Sequence, residues 1–241
     1  MSDKEQKDLI KFCIDHVAGR TKVIAGTGSN NTQHAIDLTK FSCEAGADAV
    51  LLVTPYYNKS TQKGLITSFS AIADASTVPC ILYNVSGRTG INIEPETAFE
   101  LSKHPRIQAI KEASGDLSQV AKIAQLCGDN LDIYSGNDDQ IVPVMSLGGK
   151  GVISVLSNVM PAQTSMMCKA FLNGDIRKAK DLQLEYLPFI NALFSEVNPI
   201  PVKAACAAMN ICENSVRLPL VTMSKDKESS MLELMKDLNL I

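Results

Sequence analysis

Short, nearly unbroken apolar runs rich in β-branched residues recur along the chain: TKVIAG (21–26), ADAVLLV (47–53), VPCILYNV (78–85), IQAIK (107–111), LDIYS (131–135) and GVISV (151–155). They return roughly every 20–30 residues, the interval of strand, loop and helix units and too long for hairpins, so the pattern predicts parallel strands. Between them lie stretches with helical periodicity, among them TQHAIDLTKFSCEAGA, EPETAFELSKH, LSQVAKIAQLCG and DDQIVPVMSLGG. Several of these close on the glycine that suits the left-handed position past a helix C-terminus. Strands apolar at nearly every position need cover on both faces, which favours a βα barrel or a doubly wound sheet.

The two ends of the chain differ from this middle. Ser2 and Glu5 have the S-x-x-E spacing of a capping box, so the chain opens on an amphipathic helix with no strand before it. After GVISV the pattern turns wholly helical from about Met160, with Pro188, Pro199 and Pro201 expected to break that stretch into several helices. The predicted organisation is a (β/α) barrel region over residues 1–158 and C-terminal helices over 159–241, packed as a single structural unit. A closed (β/α)8 barrel has eight strands, and only six apolar runs are present.

Composition narrows the function. The 241 residues, 45% of them hydrophobic, suffice for one sizeable core. The formal net charge is −3 and no lysine or arginine run is interleaved with aromatics, which argues against a nucleic-acid partner. The seven cysteines form no CxxC pair and mostly sit within apolar patterns, as reduced thiols in a cytoplasmic protein do. His16, His34 and His104 lack metal-ligand spacing, so no metal is expected. The N-terminus has no basic segment followed by an apolar stretch, and no window approaches the roughly 20 apolar residues of a membrane span. A soluble protein without membrane contact is expected.

The candidate chemistry centres on IQAIKEASGD (107–116), which sets Lys111 at the C-terminal end of an apolar run. Active sites of parallel α/β folds lie at that end of the strands, and an apolar pocket depresses an amine's pKa from about 10.4. A neutral amine can attack a ketone and form a Schiff base that serves as an electron sink. The plainer reading is a strand-end lysine that extends its head to water beside a solvated Glu112. In YNVSGRTG (83–90), Tyr83 ends a strand and could move protons, while Arg88 lies in the loop beyond and could hold a carboxylate with its two-pronged guanidinium. GTGSNN (26–31) has the look of a phosphate loop, but Asn31 stands where the third glycine of GxGxxG belongs, which favours a tight βα turn.

The segments VIAGTGSN, VLLVTPYYNKSTQ, YNVSGRTG, IKEASGD, YSGND and GGKGVISV occur in the order found in the dihydrodipicolinate synthase family, and the chain resembles that family from Met1 to the C-terminal helices. The family belongs to the class I pyruvate-dependent aldolase and lyase superfamily. The resemblance implies a (β/α)8-type barrel and condensation of pyruvate with aspartate semialdehyde on the route to diaminopimelate and lysine. It implies no cofactor beyond a covalent imine with pyruvate. Lys111 matches the imine-forming lysine, Tyr83 the proton-shuttling tyrosine and Arg88 the arginine for the semialdehyde carboxylate. Gly136 and Ile153 match positions lining the pyruvate pocket, although Ile153 reads equally well as plain core. Tyr57 matches a tyrosine that crosses a dimer interface into the neighbouring site, which implies a homo-oligomer, a dimer or tetramer.

Three departures stand out. Ser86 and Gly87 replace the family's proline-braced loop before Arg88, which loosens it. The resemblance also implies a preceding strand, helix and strand bearing a Gly-Thr-Thr-Gly-Glu motif, so the chain reads as a barrel shortened to about six strands whose open edges favour association. Asn30 and Tyr56 match lysine-binding positions of feedback-inhibited relatives, but His34 stands where an acidic partner is expected, and weak lysine inhibition follows. The rival readings are an N-acetylneuraminate or keto-sugar-acid lyase of the same superfamily, and an inactive remnant acting only in assembly. Arg88 within SGRTG favours the semialdehyde.

Overall fold

A computed structural model describes residues 1–241. The chain forms two compact units, Met1–Gly136 with Leu147–Lys150, and Asn137–Ser146 with Gly151–Ile241.

The first unit is α/β. Helix α1 (Asp3–Val17) starts on the expected capping box: the Glu5 amide donates to Ser2 Oγ at 3.3 Å and the Ser2 amide to Glu5 Oε2 at 2.8 Å. Strands β1 (Ile24–Gly26), β2 (Ala49–Val53), β3 (Cys80–Asn84), β4 (Ile107–Glu112) and β5 (Asp132–Ser135) follow. Helices α2 (Thr32–Ala45), α3 (Gln62–Asp74), α4 (Ser86–Thr89), α5 (Pro95–Leu101) and α6 (Leu117–Cys127) connect them. Each recorded strand pair is parallel and joins neighbours in chain order, as the spacing of apolar runs predicts. With β6 (Gly151–Val152) in the second unit, the chain carries six strands.

Local chemistry sets the element ends. Asn31 caps α2, its Oδ1 accepting the Gln33 and His34 amides at 3.0 and 3.2 Å, so the first donors of this helix are already satisfied from within the turn. GTGSNN is therefore the tight βα turn favoured by its sequence. Gly28 is required there, because a Cβ would lie 2.2 Å from the Val53 amide nitrogen. Gly46 closes α2 at φ 98°, a conformation that glycine adopts without steric cost. The centre of the sheet is buried on both faces: Leu52, Leu82 and Ile110 are each 0% exposed, and each contributes about 1.5–3 kcal/mol by leaving water.

The second unit is helical apart from β6, with α7 (Ile141–Ser146), α8 (Pro161–Leu172), α9 (Ile176–Leu193), α10 (Ile200–Ala208) and α11 (Lys225–Asp237). Its core gathers Ile141, Leu156, Met167, Phe189, Leu193 and Met231.

Three details differ from the sequence reading. Pro188 breaks nothing: α9 runs through it, because Tyr186, Phe189, Ile190 and Leu193 bury one face of the helix and outweigh one missing backbone donor. The chain beyond Met160 is not wholly helical, since residues 209–224 form no regular element. GVISV is a strand only at Gly151–Val152. There Asp138 Oδ2 accepts the Val155 and Leu156 amides at 2.9 and 3.0 Å and turns the chain into a 3-10 turn over Leu156–Asn158. No helix is long and apolar enough to cross a membrane.

Candidate active site

The C-terminal ends of β3 and β4 bring the first two candidates together. Tyr83 pairs in register with Lys111, and Lys111 in turn with Tyr134 on β5. Residues in parallel register point to the same face, so these three side chains form a row across the sheet. The Lys111 amine nitrogen lies 4.3 Å from the centroid of the Tyr83 ring. Both residues are half-buried, which a lysine extended into open water would not be.

Burial pushes the Tyr83 phenol above its ordinary value, with the Arg88 guanidinium pulling it partly back. Tyr83 therefore keeps its proton at neutral pH. Burial also raises the Tyr134 phenol, aided by the negative charge of Asp132.

Gly136 closes against the same lysine. Its amide donates to the Glu112 carbonyl at 2.7 Å, and a Cβ at this position would lie 2.5 Å from Ala113 Cβ and 3.1 Å from Lys111 Cε. Only glycine leaves the lysine stem in place.

Arg88 is exposed and sits in the single helical turn α4, whereas the sequence suggested a loosened loop. The turn is held by backbone bonds from Arg88 and Thr89 to Val85 at 2.9 and 3.2 Å, and from Gly90 to Ser86 at 2.9 Å. Beneath it Thr54 Oγ1 donates to Thr89 Oγ1 at 2.9 Å, and both threonines are buried. The missing proline brace is replaced by this hydroxyl pair and these backbone bonds.

Tyr57 is not part of the buried group. It is 93% exposed with φ 69°, and the Asn58 amide donates to the Tyr56 carbonyl at 2.9 Å, closing a three-residue turn with Tyr57 at its centre. That γ-turn geometry is uncommon and strained for a residue with a side chain. Asn30 and Asn58 brace it, through Asn30 Nδ2 to the Tyr56 carbonyl at 3.2 Å and Asn58 Nδ2 to the Asn30 carbonyl at 2.9 Å. Ile153 belongs to the second unit, where it is half-buried just past β6.

The sequence reading missed the layer behind Lys111. Glu112 is 3% exposed, not solvated. Its carboxylate accepts from Asn84 Nδ2 at 3.0 Å, from the Ser114 amide at 2.6 Å and from Gln119 Nε2 at 3.0 Å. The one available signal was alternation: if Lys111 faces the site, Glu112 must face the helices. No group of three or more histidine, cysteine or acidic side chains is arranged to hold a metal ion.

The 4-hydroxy-tetrahydrodipicolinate synthase of Caldicellulosiruptor saccharolyticus is 60% identical over 225 residues, 93% of this chain and 76% of that protein. The crystal structure of dihydrodipicolinate synthase from Aquifex aeolicus superposes with a TM-score of 0.98 at 41% identity, covering 100% of this chain and 82% of the other. A dihydrodipicolinate synthase variant described as monomeric matches with a TM-score of 0.97 at 37% identity, over 100% and 81% of the two chains. The sequence model of the dihydrodipicolinate synthetase family matches residues 1–238, and with that agreement over nearly its whole length the chain belongs to this family.

Proposed function

We propose that the residues of this chain condense pyruvate with L-aspartate semialdehyde through an imine on Lys111. Family membership makes the chain a lyase of diaminopimelate and lysine biosynthesis that works through a Schiff base with its substrate and needs no external cofactor. The observation that carries the residue assignment is the register pair Tyr83 and Lys111, with amine and ring 4.3 Å apart.

In this reading the neutral Lys111 amine attacks the keto carbon of pyruvate, and the carbinolamine loses its hydroxyl as water to leave the imine. Tyr83, holding its proton at neutral pH, supplies that proton to the departing hydroxyl and takes it back during ring closure. Loss of a methyl proton to solvent turns the imine into an enamine whose carbon attacks the aldehyde, and the semialdehyde amine then attacks the re-formed imine carbon, closing the ring and releasing the Lys111 amine. Arg88, exposed at α4, holds the semialdehyde carboxylate by paired hydrogen bonds. Gly136, without a side chain, admits the keto acid beside the lysine stem.

Tyr57 completes the proton relay from a second copy of the chain, so the working form is a homo-oligomer, a dimer or tetramer. Its 93% exposure in a strained, braced turn supports a role outside its own fold. The parallel strands β1 to β5 fit a (β/α)8-type barrel architecture, and a cytoplasmic location fits seven free cysteines.

Borohydride reduction with pyruvate tests the assignment. The expected result is one pyruvate-derived mass increment on the Lys111 peptide, dependent on both reagents. A protein that gains none, or gains it on another lysine, overturns the reading.

A further inference from the structure

A buried carboxylate is costly unless fully satisfied, and a leucine or methionine would fill the space of Glu112 without that cost. Glu112 nevertheless stands in the core directly after Lys111. All of its partners are N–H donors, as an acceptor-only carboxylate requires. The partners come from three separate places: the end of β3 (Asn84), the turn after β4 (Ser114) and helix α6 (Gln119).

Asn84 directly follows Tyr83, and Asn84 pairs in register with Glu112 just as Tyr83 pairs with Lys111. Asn84 is itself 0% exposed and fully engaged. It donates to Asn92 Oδ1 at 2.7 Å as well as to Glu112, and its Oδ1 accepts the Ile93 amide at 2.9 Å. Asn92 and Gln119 close the circuit through Asn92 Nδ2 to Gln119 Oε1 at 2.7 Å. A one-residue slip of β4 against β3 would carry Lys111 to the helix side and Glu112 into the site. The side-chain bond between Asn84 and Glu112 opposes that slip at the ends of the strands.

We propose that Glu112 is a positioning residue for the reaction: with Asn84 and Gln119 it locks the ends of β3 and β4 so that the Lys111 amine stays against Tyr83. The inference rests on the reading of Lys111 as the imine-forming lysine. It adds a specific role for a carboxylate that touches neither substrate nor reacting atoms. Glu112→Gln keeps the shape but turns an amide against donors. In the double variant Glu112→Gln with Asn84→Asp, the carboxylate moves to β3 and the donor to β4. That restores the pair, since the carboxylate now on β3 still accepts the Ile93 amide, and Asn92 and Gln119 can both turn their amides over to match it.

The test is the rate of borohydride-trapped pyruvate adduct on Lys111 in the full chain, with folding followed by circular dichroism. Glu112→Gln is expected to fold and to trap pyruvate about tenfold or more slowly at saturating pyruvate, with half-saturation little changed, because displaced reacting groups lose rate before they lose binding. The double variant is expected to recover most of that rate, which a general loss of stability would not predict. A folded Glu112→Gln protein within about threefold of the unsubstituted rate, or a folded double variant with no recovery, overturns the inference. Should either variant fail to fold, Gln119→Leu removes one donor from a helix without proposed catalytic residues. Slower trapping there supports the inference, and an unchanged rate overturns it. If the unsubstituted protein itself takes no adduct, the imine reading fails and this inference with it.

Discussion

Tyr83 and Lys111 are register partners at the ends of two neighbouring parallel strands, and the lysine nitrogen stands 4.3 Å from the tyrosine ring centroid. Twenty-eight positions separate them in the chain (111 − 83), and a single backbone pairing makes them neighbours.

If Lys111 supplies the imine nitrogen, Lys111→Arg must abolish adduct formation, since a guanidinium keeps its proton at any working pH. Tyr83→Phe should still form the adduct but more slowly, by about 10²–10⁴-fold, the usual contribution of a positioned proton donor. Both proteins should fold normally. Mass spectrometry after borohydride treatment, alongside steady-state rates, checks the pair.

Gly136→Ala should damage the site more than its single methyl suggests. The new Cβ would lie 2.5 Å from Ala113 Cβ and 3.1 Å from Lys111 Cε, closer than packed carbons tolerate. Overpacking of this kind costs about 1–3 kcal/mol and displaces the lysine stem. The expected outcome is a lower urea midpoint together with weaker pyruvate saturation; a variant with unchanged midpoint and saturation contradicts the placement.

Stability should fall in alkali, and β3 should be a main cause. Cys80 on β3 is 0% exposed, and burial raises its thiol from 9.0 to about 11, against a weaker opposing bond from Ser76. Tyr83 is raised from 10.0 for the same first reason. A folded value above the unfolded one means that the folded state holds the proton more tightly. The stabilisation is therefore complete below about pH 9 and is lost as pH rises toward the folded values. For Cys80 alone the loss is on the order of 2–3 kcal/mol. Urea midpoints measured from pH 8 to 11 should decline beyond pH 9, and Cys80→Ala should flatten that decline.

Tyr57→Phe should leave thermal stability unchanged, because the side chain is 93% exposed within its own chain. If Tyr57 serves a neighbouring site, activity per chain should drop in this variant and also on dilution of the unsubstituted protein. Sedimentation velocity across the same concentrations should show association; a monomer of full specific activity contradicts the relay.

Lysine should bind weakly. The Asn30 side chain is engaged with the Tyr56 carbonyl, and His34, placed where an acidic partner for an ammonium group is expected, lies 3.4 Å from Asp3. Calorimetric titration should show little heat at millimolar lysine, and strong heat would overturn the expectation.

The alternation of apolar runs and helical stretches placed β1 to β5 to within a few residues, because interior parallel strands must be apolar on both faces. It overran at GVISV, where the strand ends after Val152 because Asp138, thirteen positions before Gly151, captures the Val155 and Leu156 amides. It also misjudged Pro188, since one lost backbone bond is a local cost and the burial of the α9 face is a sum over distant partners. Glu112 looked like a surface charge for the same reason: its donors Asn84 and Gln119 reach it only after β3, β4 and α6 have assembled.

By itself the sequence determined the order of strands and helices, the parallel sense of the strands and which side chains, Tyr83 and Lys111 among them, stand at their ends. Those properties follow from local periodicity and from the chemistry of single residues. Only the tertiary structure decided that Lys111 meets Tyr83, that Gly136 must lack a side chain, that Tyr57 stands outside and that Glu112 lies within. Register and burial depend on hydrogen bonds and packing between segments far apart in the chain, and no local window of sequence contains both partners.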